Sequence, residues 1–401
     1  MKRRTFVRNT ALTATGLALS SELVAKKQKS FGANDQINIG IIGTGSRGAG
    51  LIPIIEGIEG LQVVACCDVL PFRLNDALSK TAGRAKGFTD YRKLLEYNAV
   101  DAVLIATPFY LHQEVAMATM DADKHIYCEK TLVKGYTAIA TLLKKAENFK
   151  KVFQTGHQYH SSRMYTQVVD LIKAGKVGKV TGFNCQWNRN GNWRRDLPDP
   201  SLEKAINWRM YREYSGGLVA ELCSHQLDFV NWVNQSLPES ALGVGGIDYW
   251  KDGRETFDNV HLIYSYPNGT KAKFTCLTSN AMDNYKVRVH GDKGTLILDY
   301  SKAWFYPEQG GEKKWGNVDG VSGATTNWQQ GRGIPLNLVH EDPSKQALID
   351  FRNAIWEGKI PASNLLTGAK AAVCVQMGLD AMYEEQKVLF KELPLSDKDL
   401  N

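Results

Sequence analysis

Ile37-Asn38-Ile39-Gly40-Ile41-Ile42-Gly43-Thr44-Gly45-Ser46-Arg47-Gly48 is the stretch that decides the fold. Its first six residues form a short apolar run of the kind buried in a parallel sheet. The run leads straight into a complete G-x-G-x-x-G. An amphipathic stretch follows, then a second apolar run, Leu61–Cys67, ending at Asp68, 20 residues after Gly48. Strand, glycine turn, helix, strand and acid, in that order, form a dinucleotide-binding fingerprint. Gly43 permits the tight turn, Gly45 lets the backbone approach a pyrophosphate, and Gly48 lets helix and strand pack closely. Thr44, Ser46 and Arg47 complete the loop, and the helix N-terminus offers free N–H groups to the phosphates. Asp68 is expected to accept hydrogen bonds from a ribose diol and to repel a 2′-phosphate. NAD is therefore favoured over NADP, with Arg73 nearby as the argument for the latter.

The alternation continues outward. Val100–Ala106 reads as a buried strand followed by Thr107, Pro108 and His112. His125–Cys128 is another, followed by Glu129 and Lys130, and Val152–Thr155 is a further one leading to His157. Helical stretches lie between them. This order predicts a doubly wound parallel sheet, a Rossmann domain over 34–155. Ligands of such sheets bind beyond the carboxyl ends of the strands, where Gly43, Asp68, Thr107, Glu129, Lys130 and His157 all fall. From 156 to 401 the pattern changes. Lys179–Trp187, Val260–Tyr266, Lys271–Leu277, Tyr285–His290 and Thr295–Asp299 read as strands joined partly by hairpin turns, which predicts an antiparallel or mixed sheet. Gly310–Gly333 reads as a surface loop, and Ser344–Trp356 and Ser363–Glu385 as helices.

Composition limits the function classes. The 401 residues are 43% hydrophobic and 23% charged, which fits a soluble globular protein of two domains. Seven cysteines cannot all pair and are too sparse for a disulfide scaffold. No apolar run reaches the roughly 20 residues of a membrane span, so no membrane insertion is expected. Lys2, Arg3, Arg4 and Arg8 supply much of the net charge of +7, and no basic block follows Lys29, so a nucleic-acid partner is not expected. Arg3-Arg4-Thr5-Phe6-Val7 followed by the weakly apolar Ala11–Leu19 predicts a signal segment over 1–33. It has the twin-arginine type that exports proteins already folded, so a periplasmic location is expected.

Several motifs taken together resemble the glucose–fructose oxidoreductase, inositol dehydrogenase and MocA (Gfo/Idh/MocA) family, in an exported bacterial subgroup. They are the glycine loop, Ala106-Thr107-Pro108 with His112, Cys128-Glu129-Lys130, and Gly216-Gly217-Leu218-Val219-Ala220-Glu221-Leu222-Cys223-Ser224-His225. The resemblance spans roughly 35–390. It implies a Rossmann domain followed by an α/β domain with a large open, mostly antiparallel sheet. It also implies NAD(P)-dependent oxidation or reduction of sugar and cyclitol hydroxyls, and a homo-oligomer (dimer or tetramer). Thr131, Glu221 and Cys223 depart from the commoner Pro, Asp and Gly.

Oxidising a secondary alcohol needs a hydride acceptor, a base for the hydroxyl proton and a donor for the developing alkoxide. Lys130 is the candidate donor; the resemblance implies that it bridges nicotinamide and substrate. His225 is the candidate base. Glu221, four residues earlier, shares a helix face with it and is expected to orient or relay through it, with Asp228 on the same side. No metal is expected, because these three residues lack a recognised ligand spacing and hydride transfer needs none. Thr107, Pro108, His112 and Glu129 are expected beside the cofactor. Tyr159, Trp193, Arg194, Trp208 and Tyr211 are the candidate substrate contacts. Their aromatic faces suit pyranose rings, and arginines donate to hydroxyls or carboxylates. His157 and His160 read as structural. A small carbohydrate is the expected partner. Two other functions compete: a redox-type glycoside hydrolase that oxidises, eliminates and re-reduces with trapped NAD, and a non-catalytic sugar-binding scaffold.

Overall fold

The computed structural model describes residues 36–308 and 333–392, together with 394, 395 and 400. The expected signal segment 1–33, and all but the last residue of the expected loop Gly310–Gly333, lie outside the described residues. Among the described residues no helix is long and apolar enough to cross a membrane.

Six parallel strands make the first sheet: β1 (Ile37–Ile42), β2 (Leu61–Cys67), β3 (Lys86–Phe88), β4 (Ala102–Ile105), β5 (His125–Cys128) and β6 (Phe153–Thr155). Their order is β3-β2-β1-β4-β5-β6. The strand order reverses between β1 and β4, which opens a crevice above their carboxyl ends. The central strands β1 and β4 are buried on both faces, as their apolar composition requires, whereas the edge strand β3 is exposed.

The second sheet has nine strands: β7 (Val180–Trp187), β8 (Ser240–Gly246), β9 (Asn259–Ser265), β10 (Lys271–Leu277), β11 (Tyr285–Gly291), β12 (Gly294–Leu298), β13 (Ala303–Pro307), β14 (Ile334–Leu336) and β15 (Val388–Leu389). The order is β14-β13-β12-β11-β7-β10-β9-β8-β15. Only β7 and β10 pair in parallel; the other pairs among the described strands are antiparallel. One face alternates buried Val260, Leu262 and Tyr264 with the outward His261 and Ile263. That period of two leaves one face covered and one open. The strands over 240–246, 303–307, 334–336 and 388–389 were not expected from the sequence. Glycine in SALGVGG, and proline in the next two, weaken the strand pattern at sheet edges.

Chain order and packing part company near the end. Helix Pro343–Glu357 starts on Asp342, whose carboxylate accepts from Ser344 N at 2.8 Å, has proline in its first turn, and stops on Gly358 at φ +61°. Its Leu348 and Phe351 are buried among Ile39, Ile41, Leu104 and Tyr127 of the first sheet. Each such side chain contributes about 1.5–3 kcal/mol by leaving water. A helix late in the chain thus completes the core of the first sheet. Helix Leu365–Tyr383 is buried within the core of the second sheet, where Tyr264 Oη donates to Cys374 O at 2.8 Å.

Candidate active site

The glycine loop leaves β1 at Gly43, φ +89°, where a Cβ would stand 2.6 Å from the backbone of Ala106 and Thr107. A Cβ on Gly48 would stand 2.0 Å from Gly43 O, so helix and loop touch backbone to backbone there. Gly45 is different: a Cβ would meet only Arg73, at 3.6 Å. Helix Ser46–Glu56 begins with no side-chain cap, so its first N–H groups remain available to an anion. The Asp68 Oδ2 atom accepts from Thr44 N at 2.8 Å and Thr44 Oγ1 at 3.2 Å, while Oδ1 accepts from Leu70 N at 2.9 Å. The carboxylate therefore braces the loop as well as facing the crevice. A cradle open only at Gly45, with an uncapped helix end and an acid beside it, fits a dinucleotide.

Thr107 and Pro108 lie at the end of β4 and line the crevice; Thr107 Oγ1 is buried with no protein partner among the described residues. His112 bridges two strand ends, with Nδ1 2.9 Å from Thr131 O and Nε2 3.1 Å from Thr107 O. Both ring nitrogens face carbonyls, and the one that carries the proton donates, so His112 holds the wall rather than reaching a ligand. Burial lowers its pKa. Glu129 pairs with Arg47 Nε at 2.7 Å, and Arg47 also donates to Ser344 Oγ at 3.2 Å. No signal in the sequence links Arg47 to a serine almost three hundred positions away.

Lys130 extends from the end of β5, and its peptide bond to Thr131 is cis. Its Nζ donates to Glu221 O at 2.8 Å and stands 4.0 Å from Glu221 Oε2. Burial lowers the Lys130 pKa, and Glu221 and Glu129 oppose that loss. Burial likewise pushes the Glu221 carboxyl up, but Arg209 and Lys130 outweigh it and hold the group below its ordinary range. Arg209 Nε donates to Glu221 Oε2 at 2.8 Å.

The expected Glu221–His225 relay is not formed. Val219–Cys223 is a π-helical turn, followed by helix Ser224–Asn234, and the two side chains line the crevice with no hydrogen bond between them among the described residues. Arg209 and Lys130 have taken the carboxylate. Asp228 also turns elsewhere: its Oδ2 stands 3.0 Å from His160 Nε2, off the hydrogen-bonding line, while His160 stacks on Trp232 at 4.4 Å. His225 lines the crevice, and among the described residues its ring nitrogens have no hydrogen-bond partner; Nδ1 is buried. Tyr159, His157 and Trp187 pack around it with ring centroids at 5.0, 5.9 and 5.8 Å. Burial, then the Lys130 and His157 charges, lower its pKa well below the usual imidazole value. His225 is therefore neutral at neutral pH and free to accept a proton.

The crevice has a volume of about 700 Å³ and brings together the glycine loop, Asp68, Thr107, Glu129, Lys130, Glu221, His225 and Trp208. Trp193 lines a smaller annex of about 280 Å³. Three expected substrate contacts lie elsewhere. Tyr159 stacks on Tyr165 at 4.1 Å behind His225 and does not line the crevice. Arg194 is tied to Glu203 and Asp252, and Tyr211 Oη donates to Glu203 at 2.9 Å. Acidic partners nearby hold both away from the cavity. Arg209 was visible in the sequence only as one of several arginines; its role as the partner of Glu221 was not.

Residues 37–157 match the model of an oxidoreductase family with an NAD-binding Rossmann fold, and residues 165–297 match the GFO/IDH/MocA C-terminal domain. An uncharacterized oxidoreductase of Streptococcus pneumoniae is 25% identical over 89% of this chain and 99% of its own length. The 2,7-anhydro-N-acetylneuraminate hydratase of Escherichia coli is 23% identical over 83% of this chain and 87% of its own. Among solved structures, levoglucosan dehydrogenase in complex with NADH superposes with a TM-score of 0.70 at 17% identity, over 88% of this chain and 99% of that one.

Proposed function

The chain belongs to the Gfo/Idh/MocA oxidoreductases, and on that premise we propose that it transfers a hydride between NAD and a secondary hydroxyl of a sugar, glycoside or cyclitol. The observation that carries this reading is the meeting of the Lys130 ammonium and a neutral, unpartnered His225 in the crevice that begins at the glycine loop. The loop, the first turn of helix Ser46–Glu56, Asp68 and Thr107 would hold the dinucleotide, which when bound supplies the hydride acceptor or donor. Lys130 is oriented by two backbone carbonyls, Glu221 O and Ala220 O, leaving donor capacity for the substrate oxygen. There it stabilises the developing alkoxide. His225 accepts the hydroxyl proton in the oxidative direction and returns it in the reductive one. The Glu221 carboxylate, shared between Arg209 and Lys130, helps keep Lys130 charged. Trp208, buried under Arg209 at 4.2 Å, offers one edge to a sugar ring. His225→Gln is expected to lower kcat by two orders of magnitude or more with dinucleotide affinity retained; unchanged turnover would remove the proton-acceptor role.

NAD is the expected dinucleotide because Asp68 stands where a 2′-phosphate would crowd it. Arg73, beside Gly45, is the opposing feature, and binding of each dinucleotide measured by calorimetry decides between them. A second reading, a hidden redox cycle ending in hydration or hydrolysis, is favoured by the similarity to a hydratase. Product release with no net NADH would establish it.

Export is proposed on Arg3-Arg4 and the weakly apolar run after them; cell fractionation of the full chain tests it. A homo-oligomer is proposed on the open sheet face, where Leu242, Val244 and Ile263 are exposed side by side on β8 and β9. A monomer by light scattering would refute it.

A further inference from the structure

The charge of the crevice exceeds what a dinucleotide uses. Seven arginine and lysine side chains line it against four carboxylates. A dinucleotide offsets part of that surplus with its diphosphate, and an oxidised nicotinamide gives some of the offset back. The surplus is not evenly spread. Arg47 is matched by Glu129, Arg73 stands at Asp68, and Arg195 reaches Ser46 Oγ of the glycine loop at 2.5 Å. Those three belong to the cofactor side. The annex is lined by Arg189, Trp193, Arg209, Glu221 and Leu222, together with Arg195 from the cofactor side; apart from Arg195 it holds two guanidiniums against one carboxylate. That carboxylate is already shared between Arg209 and Lys130.

Among the described residues Arg189 makes no ion pair. Its guanidinium is held instead between aromatic faces, 5.5 Å from the Trp187 ring and 5.8 Å from Trp193. Trp193 is in turn fixed at φ +61°, a conformation that bulky residues seldom adopt, by an Asn192 turn whose carbonyl accepts from Arg254 at 2.8 Å. Arg209 binds Glu221 through Nε. Among the described residues its terminal amino groups make no protein hydrogen bond. The annex thus presents a stacked fork and a half-used fork to the space beside Lys130.

We propose that the annex receives a carboxylate borne by the substrate, so that the sugars this protein acts on are uronides or other acidic sugars. Two planar forks match the two oxygens of a carboxylate, and charge-assisted pairing of this kind is about twice as strong as a neutral hydrogen bond. The inference rests on the proposed oxidoreductase reading for what happens to the ring, but not for capture of the anion.

The test uses the NAD-loaded protein and two readouts: tryptophan fluorescence for binding and NADH absorbance for turnover. The ligands are methyl glucuronide, methyl glucoside, and a sulfated and a phosphorylated glucoside. The uronide is expected to bind about ten- to a hundredfold more tightly than the glucoside. The preference should fall in Arg189→Gln and weaken with salt. Arg189→Lys should restore only part of it, because charge returns without the fork. Equal binding of uronide and glucoside would overturn the proposal, as would a preference that Arg189→Gln leaves intact. Tighter binding of the sulfated or phosphorylated sugar would overturn the assignment to a carboxylate. Selective uronide binding without any change in bound NAD(H) would support the anion site and remove the oxidoreductase reading instead.

Discussion

Glu221→Gln removes one negative charge and almost no volume from the centre of the site. Glu221 Oε2 stands 4.0 Å from Lys130 Nζ and 2.8 Å from Arg209 Nε. At 4 Å and an effective dielectric of about 20, one unit-charge pair is worth about 4 kcal/mol, or about 3 pKa units, as an upper limit. Glu221 raises the Lys130 pKa against the burial that lowers it. Removing the carboxylate therefore lets Lys130 lose its proton at lower pH. The alkaline limb of kcat/KM should move down by about 1–3 units. Glu221→Asp keeps the charge and should leave the limb close to its place. The Gln carbonyl can still accept from Arg209, so the fold should survive with a modest loss of stability. The assay is single-turnover NADH formation followed through the alkaline range on wild type and both variants. A uniform fall in rate with the limb unmoved in Glu221→Gln would refute the argument, for then Lys130 would not be the group that titrates.

Other perturbations probe separate parts of the molecule. Gly48→Ala places a Cβ 2.0 Å from Gly43 O, so NAD binding measured by calorimetry should be lost or the protein should fail to fold, whereas Gly50→Ala, with open space around it, should do neither. His157 is fully buried, and burial lowers its pKa to about 4. The unfolded chain takes up that proton near pH 6.5 and the folded one only near 4. Stability is therefore complete above pH 6.5 and declines as pH falls through that window, by at most about 3 kcal/mol. His157→Gln should flatten that slope in urea melts, and an unchanged slope would show that other groups set it. Arg195→Ala removes the contact across to Ser46 and should weaken NAD binding by about three- to tenfold, with a shallower salt dependence. An affinity equal to wild type at low salt would detach Arg195 from the cofactor side.

The first sheet was legible because its signals are local. Every strand but the short, exposed β3 is an apolar run, each helix follows within a few residues, and the glycines at 43, 45 and 48 recur at the fixed spacing of one turn, although the Cβ that Gly43 excludes would meet Ala106 and Thr107, far along the chain. The second sheet was legible only in part. Its inner strands carry a clean alternation, but SALGVGG, AWFYP, IPL and the two-residue β15 sit toward its margins, and glycine, proline or brevity erase the pattern there. Helix Pro343–Glu357 was visible as a helix, yet nothing in its sequence says that it packs on the first sheet.

The site divides in the same way. Sequence alone determined the dinucleotide cradle and placed Thr107, Glu129 and Lys130 at strand ends, because strand direction and turn chemistry decide those positions. It also brought Lys130, Glu221 and His225 into one group. Only the tertiary structure decided what they do to one another. A helical spacing of four predicted that Glu221 serves His225, but Arg209, from a separate segment, and Lys130 claimed the carboxylate. Arg194 and Tyr211 were drawn to Glu203, whereas Arg189 was left between two indoles with no ion pair among the described residues. Buried charges pair with whichever opposite charge the fold brings within a few ångströms. That distance is a property of the packed chain, and no spacing along the sequence encodes it.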